Sequence, residues 1–86
     1  MVKIKKDDET DRERFLRLAE SRTKKVLNYL RILGHCSNLQ NYEYTKDDIL
    51  EIFNEIERTT KQVKSQFINN LEKLSSKIAK FSLNKR

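Results

Sequence analysis

The chain has 86 residues, with 19 basic and 13 acidic side chains and a formal net charge of +6. Hydrophobic residues are 36% and charged residues 37% of the total, which leaves little apolar material for a core. A chain this short usually needs disulfides, a metal or association to be stable. Its single cysteine, Cys36, excludes an intrachain disulfide, and with only one histidine a Cys/His metal site is not expected. Association is therefore the expected source of stability.

The first helix is predicted over residues 10–33, after a tail of nine residues that is expected to fray. Thr10 and Glu13 have the spacing of a capping box, in which each side chain bonds the backbone N–H of the other residue. Apolar residues then recur every three or four positions, which is typical of an amphipathic helix. Gly34 is expected to end the helix in the left-handed conformation, which costs glycine no steric strain.

Residues 34–44 form the predicted loop, which is longer than most connections between packed helices. Asn38 and Asn41 suit turns, because asparagine side chains bond nearby backbone groups. If the loop is exposed, Asn38, Asn41 and Tyr42 are candidate contacts to bases or to a peptide backbone. The alternative is a loop whose polar groups satisfy one another.

The second helix is predicted over residues 45–83, with Thr45 as its N-cap and Asp48 three residues later. Tyr44 and Ile49 have the spacing of a hydrophobic staple. From Ile49 onward an apolar stripe continues to Phe81 without a glycine or proline. This pattern predicts one long amphipathic helix.

The predicted fold is all-α: one small helical domain over residues 1–86, folded as an antiparallel hairpin of two unequal helices. The longer second helix overhangs the first and carries its apolar stripe beyond it. An apolar stripe without an intrachain partner predicts a homodimer, as a bundle or coiled coil, or a docking surface for a larger protein. The alternative is a second helix that frays beyond its middle. The candidate residues for self-association or partner binding are Phe67, Leu71, Leu74, Ile78 and Phe81.

Charged residues are segregated along the chain. The hairpin would place the acidic start of helix 2 beside the basic half of helix 1, where Arg22 lies at the edge of the apolar stripe. A partly buried arginine needs a carboxylate, and we predict a structural ion pair with Glu57; the alternative is an arginine that binds a ligand phosphate. The cations predicted on outward faces could contact successive phosphates. On helix 1, Glu13 and Glu20 would reduce this positive charge by pairing with Arg17 and Lys24. The candidate nucleic-acid contacts are Arg17, Lys24, Arg31, Lys73, Lys77 and Lys80.

No catalytic, metal or cofactor motif is recognisable in the sequence. His35 and Cys36 are adjacent, but neighbouring side chains seldom face each other and no third orienting group is evident. A single glycine cannot form a phosphate-binding loop. No apolar run approaches the length of a membrane span, and the first ten residues lack the apolar stretch of a signal peptide. We therefore expect a soluble, cytoplasmic protein without enzymatic activity, cofactor or membrane partner.

Two stretches carry a family resemblance: RFLRLAESRTKKVLNYLRILGHCSN and NYEYTKDDILEIFNEIE. Their most specific parts are RLAESRT at residues 17–23 and NYEYT at residues 41–45. They resemble a family of small proteins of unknown activity from bacteria, plasmids and phages. The resemblance covers residues 14–67 and leaves the C-terminal segment outside the shared core. It implies an accessory role, in a mobile element or in housekeeping, and no site residues.

Two classes of function follow. The first is a small basic accessory protein that self-associates and contacts nucleic acid through lysine and arginine faces. The alternative is an adaptor or inhibitor from a phage or mobile element, which binds another protein through the C-terminal apolar stripe or the loop. Phosphate contacts weaken steeply with salt, whereas apolar docking does not, so the two classes can be separated.

Overall fold

The computed structural model describes the backbone of residues 8–84 and the side chains of residues 8–78. Over this range the chain is all-α, as predicted. Helix α1 (Asp11–Gly34) is followed by a short 3-10 turn (His35–Ser37) and by helix α2 (Lys46–Asn84). The chain divides into two units, Met1–Glu43 and Tyr44–Arg86. The predictions for residues 1–7 and for the side chains of Lys80 and Phe81 lie outside the described residues. Hairpin packing, a single domain and a dimer stay predictions.

The start of α1 is held by the predicted capping box. The Thr10 hydroxyl accepts a hydrogen bond from the Glu13 N–H at 3.0 Å, and the Glu13 carboxylate accepts one from the Thr10 N–H at 3.0 Å. The Thr10 carbonyl also accepts from the N–H of Arg14 at 2.9 Å. These bonds satisfy donors that a helix start otherwise leaves without partners.

The end of α1 differs from the prediction at Gly34. Gly34 is right-handed, with φ −59° and ψ −24°, so the expected left-handed cap is wrong. The helix continues through Gly34 into the 3-10 turn, and the N–H of His35 donates to the Ile32 carbonyl. Because tighter 3-10 bonds also satisfy the last carbonyls of a helix, the chain needs no left-handed residue here.

Asn38 organises the segment after the 3-10 turn. Its side-chain oxygen accepts a hydrogen bond from the Gln40 N–H at 3.0 Å. Its carbonyl accepts from the N–H groups of Asn41 at 3.1 Å and Tyr42 at 2.9 Å. The predicted turn at Asn38 is therefore confirmed, and Asn41 contributes to it through its backbone.

Helix α2 begins with a second reciprocal cap. The N–H of Asp48 donates to the Thr45 hydroxyl at 3.1 Å, and the N–H of Thr45 donates to the Asp48 carboxylate at 2.9 Å. The predicted N-cap at Thr45 is confirmed. Tyr44 is half-buried, and its staple with Ile49 stays a prediction.

None of the side chains at residues 8–78 is buried. The least exposed are half-buried: Glu9, Leu18, Ala19, Leu33, Tyr44 and Ile56. In the described part of each unit, an amphipathic helix therefore exposes its apolar face. Because most helix stability in proteins comes from packing of such a face, association is expected to strengthen both helices.

Candidate functional site

Most apolar residues of α2 lie on one face of the helix, and Leu50 and Ile68 lie outside it. At about 100° per residue, ten positions fall within an arc of about 100°. Eight of their large apolar side chains are 38% to 65% exposed, and the ninth, Ile56, is half-buried. We name this face the α2 stripe; it comprises Ile49, Ile52, Phe53, Ile56, Thr60, Val63, Phe67, Leu71, Leu74 and Ile78.

The α2 stripe runs straight along the helix. From Ile49 to Ile78 its mean spacing is about 3.6 residues, which matches the pitch of an undistorted α-helix. Thr60 is its one polar member, and its hydroxyl donates to the Ile56 carbonyl at 2.7 Å. Since that hydroxyl already has an acceptor, Thr60 does not interrupt the apolar face. The stripe can therefore pack against another helix over its full described length.

Charge divides α2 into two segments. Residues 46–59 hold five carboxylates and two cations, and residues 60–78 hold four lysines and one carboxylate. Arg58 forms an ion pair with Glu55. Among the described residues, no ion pair involves any of the four lysines of the second segment, which are Lys61, Lys64, Lys73 and Lys77.

On α1, Arg17 already holds an anionic partner. Its Nε and Nη2 donate to the two carboxylate oxygens of Glu9 at 2.8 and 2.9 Å. The predicted pairing of Arg17 with Glu13 is wrong, because the Glu13 carboxylate accepts the Thr10 N–H instead. The hydrogen bond to Glu9 and the charge of its carboxylate raise the pKa of Arg17. A phosphate at Arg17 would have to displace this bidentate contact.

The predicted row of cations on α1 consists of Arg17, Lys24 and Arg31, and its other two members differ in their contacts. Lys24 lies 3.5 Å from the Glu20 carboxylate, as predicted. Arg31 is exposed, and no ion pair within residues 8–78 involves it. The three cations of this row therefore do not offer an equivalent set of phosphate contacts.

Arg22 and Glu57 belong to different units, and their ion pair stays a prediction. Arg22 is exposed rather than partly buried, so burial does not require a carboxylate beside it. In the loop, Asn41 and Tyr42 are also exposed. The Asn38 amide oxygen, by contrast, is already engaged within the turn.

Lys61 and Lys64 are further exposed cations of α2 that the predicted rows do not include. They do not continue the row of Lys73 and Lys77. The usable signal was the absence of acidic residues, since no carboxylate occurs between Arg58 and Leu71. Lys64 has no acidic residue three or four positions away on either side, and Lys61 has only Glu57, four residues before it.

Within the described residues, neither helix has an apolar stretch long enough to cross a membrane. Over the same part of the chain, no three His, Cys, Asp or Glu side chains come together as metal ligands. Comparison of the chain with family models, with curated proteins and with solved structures found no match.

Proposed function

We propose that this chain is a non-enzymatic accessory protein that self-associates along the α2 stripe and contacts nucleic-acid phosphates through the lysines of α2. The exposure of the large apolar side chains of the stripe carries the first half of this proposal. Contiguous apolar surface on a small protein marks an interaction site. A straight stripe on a helix is a surface that a second helix can cover.

The lysines of residues 60–78 support the second half. Four of them share this segment with one carboxylate. The Arg17 and Lys24 side chains of α1, by contrast, already contact glutamates. Because no ion pair within the described residues involves these four lysines, each can bind a phosphate without first losing one. Each such contact releases condensed counterions, which makes binding dependent on salt.

Capture of a different protein is the alternative function. The loop offers it limited support, because the Asn38 amide oxygen and carbonyl are already engaged by neighbouring N–H groups. The α2 stripe could dock another protein as well as a second copy. Self-association of the purified chain separates these outcomes, since a dedicated adaptor surface would stay monomeric without its partner.

The test of phosphate contact is a salt titration of binding to labelled single-stranded and duplex oligonucleotides. The α2 variant replaces four lysines, and a control replaces four α1 cations, so that both lose the same charge. The α2 variant is expected to lose most of the affinity and most of the salt slope. Absence of wild-type binding at low salt, or equal losses in both variants, would contradict the proposal. The α2 variant is Lys61→Gln/Lys64→Gln/Lys73→Gln/Lys77→Gln, and the control is Arg22→Gln/Lys24→Gln/Lys25→Gln/Arg31→Gln.

A further inference from the structure

The charge division of α2 constrains how two copies can pair. Residues 46–59 carry a net charge of −3, and residues 60–78 carry +3. A parallel pair would place like segments side by side along the whole contact. An antiparallel pair would place the acidic segment of each copy beside the basic segment of the other. Charges that flank an apolar seam set partner orientation, so this division favours the antiparallel pair.

We propose that α2 pairs antiparallel with α2 of a second copy, and that this pairing gathers Lys61 and Lys64 of both copies into one site for nucleic-acid phosphates. The inference rests on the proposed function, because it presupposes self-association through the α2 stripe. It adds the orientation, the register and the residues that contact the phosphates.

The spacing of the α2 stripe sets the register. When Ile49 lies opposite Ile78 of the second copy, Ile56 lies opposite Leu71 and Thr60 lies opposite Phe67. Eight of the ten positions of the α2 stripe then face another position of the stripe, whereas Ile52 lies opposite Ser75 and Val63 lies opposite Lys64. The two-fold axis passes between residues 63 and 64, close to Val63.

The flanks of the stripe agree with this register. Asp48, Glu55, Lys73 and Lys77 lie on the same flank of α2, at 100° per residue. A two-fold axis perpendicular to both helices brings the same flank of each copy together. Glu55 then lies beside Lys73 of the second copy, and Asp48 lies near Lys77. Exposed ion pairs of this kind contribute little affinity, but they discriminate between orientations.

The other flank gathers cations at the two-fold axis. Lys61 and Lys64 lie on this flank, within three residues of the axis. The two copies therefore place four ammonium groups within about 8 Å along the helix direction. No carboxylate occurs between Arg58 and Leu71, and Glu57, which lies four residues before Lys61 on the same flank, forms no ion pair with it within the described residues. One chain alone supplies only two of the four, so the site is incomplete without the second copy.

Lysines that meet at the axis repel one another and weaken the pair, whereas phosphates bound there remove the repulsion. Nucleic acid that binds this site is therefore expected to stabilise the dimer, by linkage. Lys73 and Lys77 face carboxylates of the second copy in this arrangement. The phosphate contacts consequently fall to Lys61 and Lys64.

Disulfide cross-linking of the full chain tests the orientation, in a Cys36→Ser background. Glu55→Cys and Lys73→Cys chains are mixed and oxidised, and Leu71→Cys is oxidised alone. The antiparallel pair is expected to yield the mixed Glu55→Cys/Lys73→Cys product and little Leu71→Cys homodimer. In a parallel pair residues 55 and 73 are about 27 Å apart along the helix, while the two copies of residue 71 meet.

Each alternative result has a distinct meaning. A Leu71→Cys homodimer without the mixed product overturns the antiparallel orientation but leaves self-association intact. A sedimenting dimer that yields neither product overturns the register and points to another surface. Monomeric sedimentation of the wild type at every concentration contradicts the proposed self-association itself.

The composite site is tested with Lys61→Gln/Lys64→Gln against Lys24→Gln/Lys25→Gln, which removes the same charge from α1. Loss of four phosphate contacts per dimer is expected to reduce the slope of log affinity against log salt by about 3, and the control is expected to change it little. Oligonucleotide should also shift the wild type, but not the Lys61→Gln/Lys64→Gln variant, toward dimer. Equal slopes for the two variants, or oligonucleotide that dissociates the wild-type dimer, would overturn the site.

Discussion

The C-terminal end of the α2 stripe offers the sharpest test of self-association. Leu74 and Ile78 are 55% and 57% exposed, so about half of each side chain remains to be covered by a partner. Full burial of a leucine or isoleucine contributes about 1.5–3 kcal/mol, so the remaining half contributes about 1 kcal/mol. A symmetric dimer covers four such side chains and gains about 4 kcal/mol from them. Leu74→Asp/Ile78→Asp is therefore expected to weaken dimerisation about a thousandfold.

Sedimentation equilibrium over a concentration series measures this loss directly. The matched control is Asn69→Asp/Ser76→Asp, which adds the same charge to α2 on the face opposite the stripe. The control is expected to dimerise nearly as the wild type does. If the Leu74→Asp/Ile78→Asp chain kept the wild-type dissociation constant, or if both variants lost dimerisation equally, the stripe would not be the interface.

Three further predictions concern local features. Gly34→Ala is expected to raise the free energy of unfolding by about 0.4–1 kcal/mol, because Gly34 is right-handed and an added Cβ meets nothing within 4 Å; urea unfolding followed by circular dichroism would show a decrease if the position were left-handed in solution. Thr45→Ala is expected to cost about 1 kcal/mol in the same assay, because it removes the hydroxyl that accepts the Asp48 N–H, and an unchanged midpoint would contradict the cap. Glu9→Gln is expected to speed exchange of the Arg17 Nε–H in NMR spectra, since that proton is donated to Glu9; equal exchange in both chains would show that the contact does not persist.

The features correctly predicted from the sequence depend on short-range geometry. The capping box at Thr10 and the N-cap at Thr45 need only two residues three positions apart and a chain that turns into a helix. The turn at Asn38 needs only its own side chain and the next few backbone groups. The absence of proline between residues 46 and 84 leaves nothing to break α2. In each case the partners are covalently close, so residue type and spacing determine the bond.

The two wrong predictions concern residues with more than one accessible conformation or partner. Glycine can adopt the right-handed or the left-handed helical conformation. The right-handed conformation at Gly34 is the one that allows the hydrogen bonds of the following 3-10 turn. The spacing of Glu13 suits a pair with Arg17, but in the structure the Glu13 carboxylate accepts the Thr10 N–H and Arg17 donates to Glu9. The sequence by itself therefore determined the helices, their N-terminal caps and the position of the α2 stripe. The three-dimensional structure decided which charges are neutralised, because the partner of each carboxylate depends on the positions of all the hydrogen-bond donors around it.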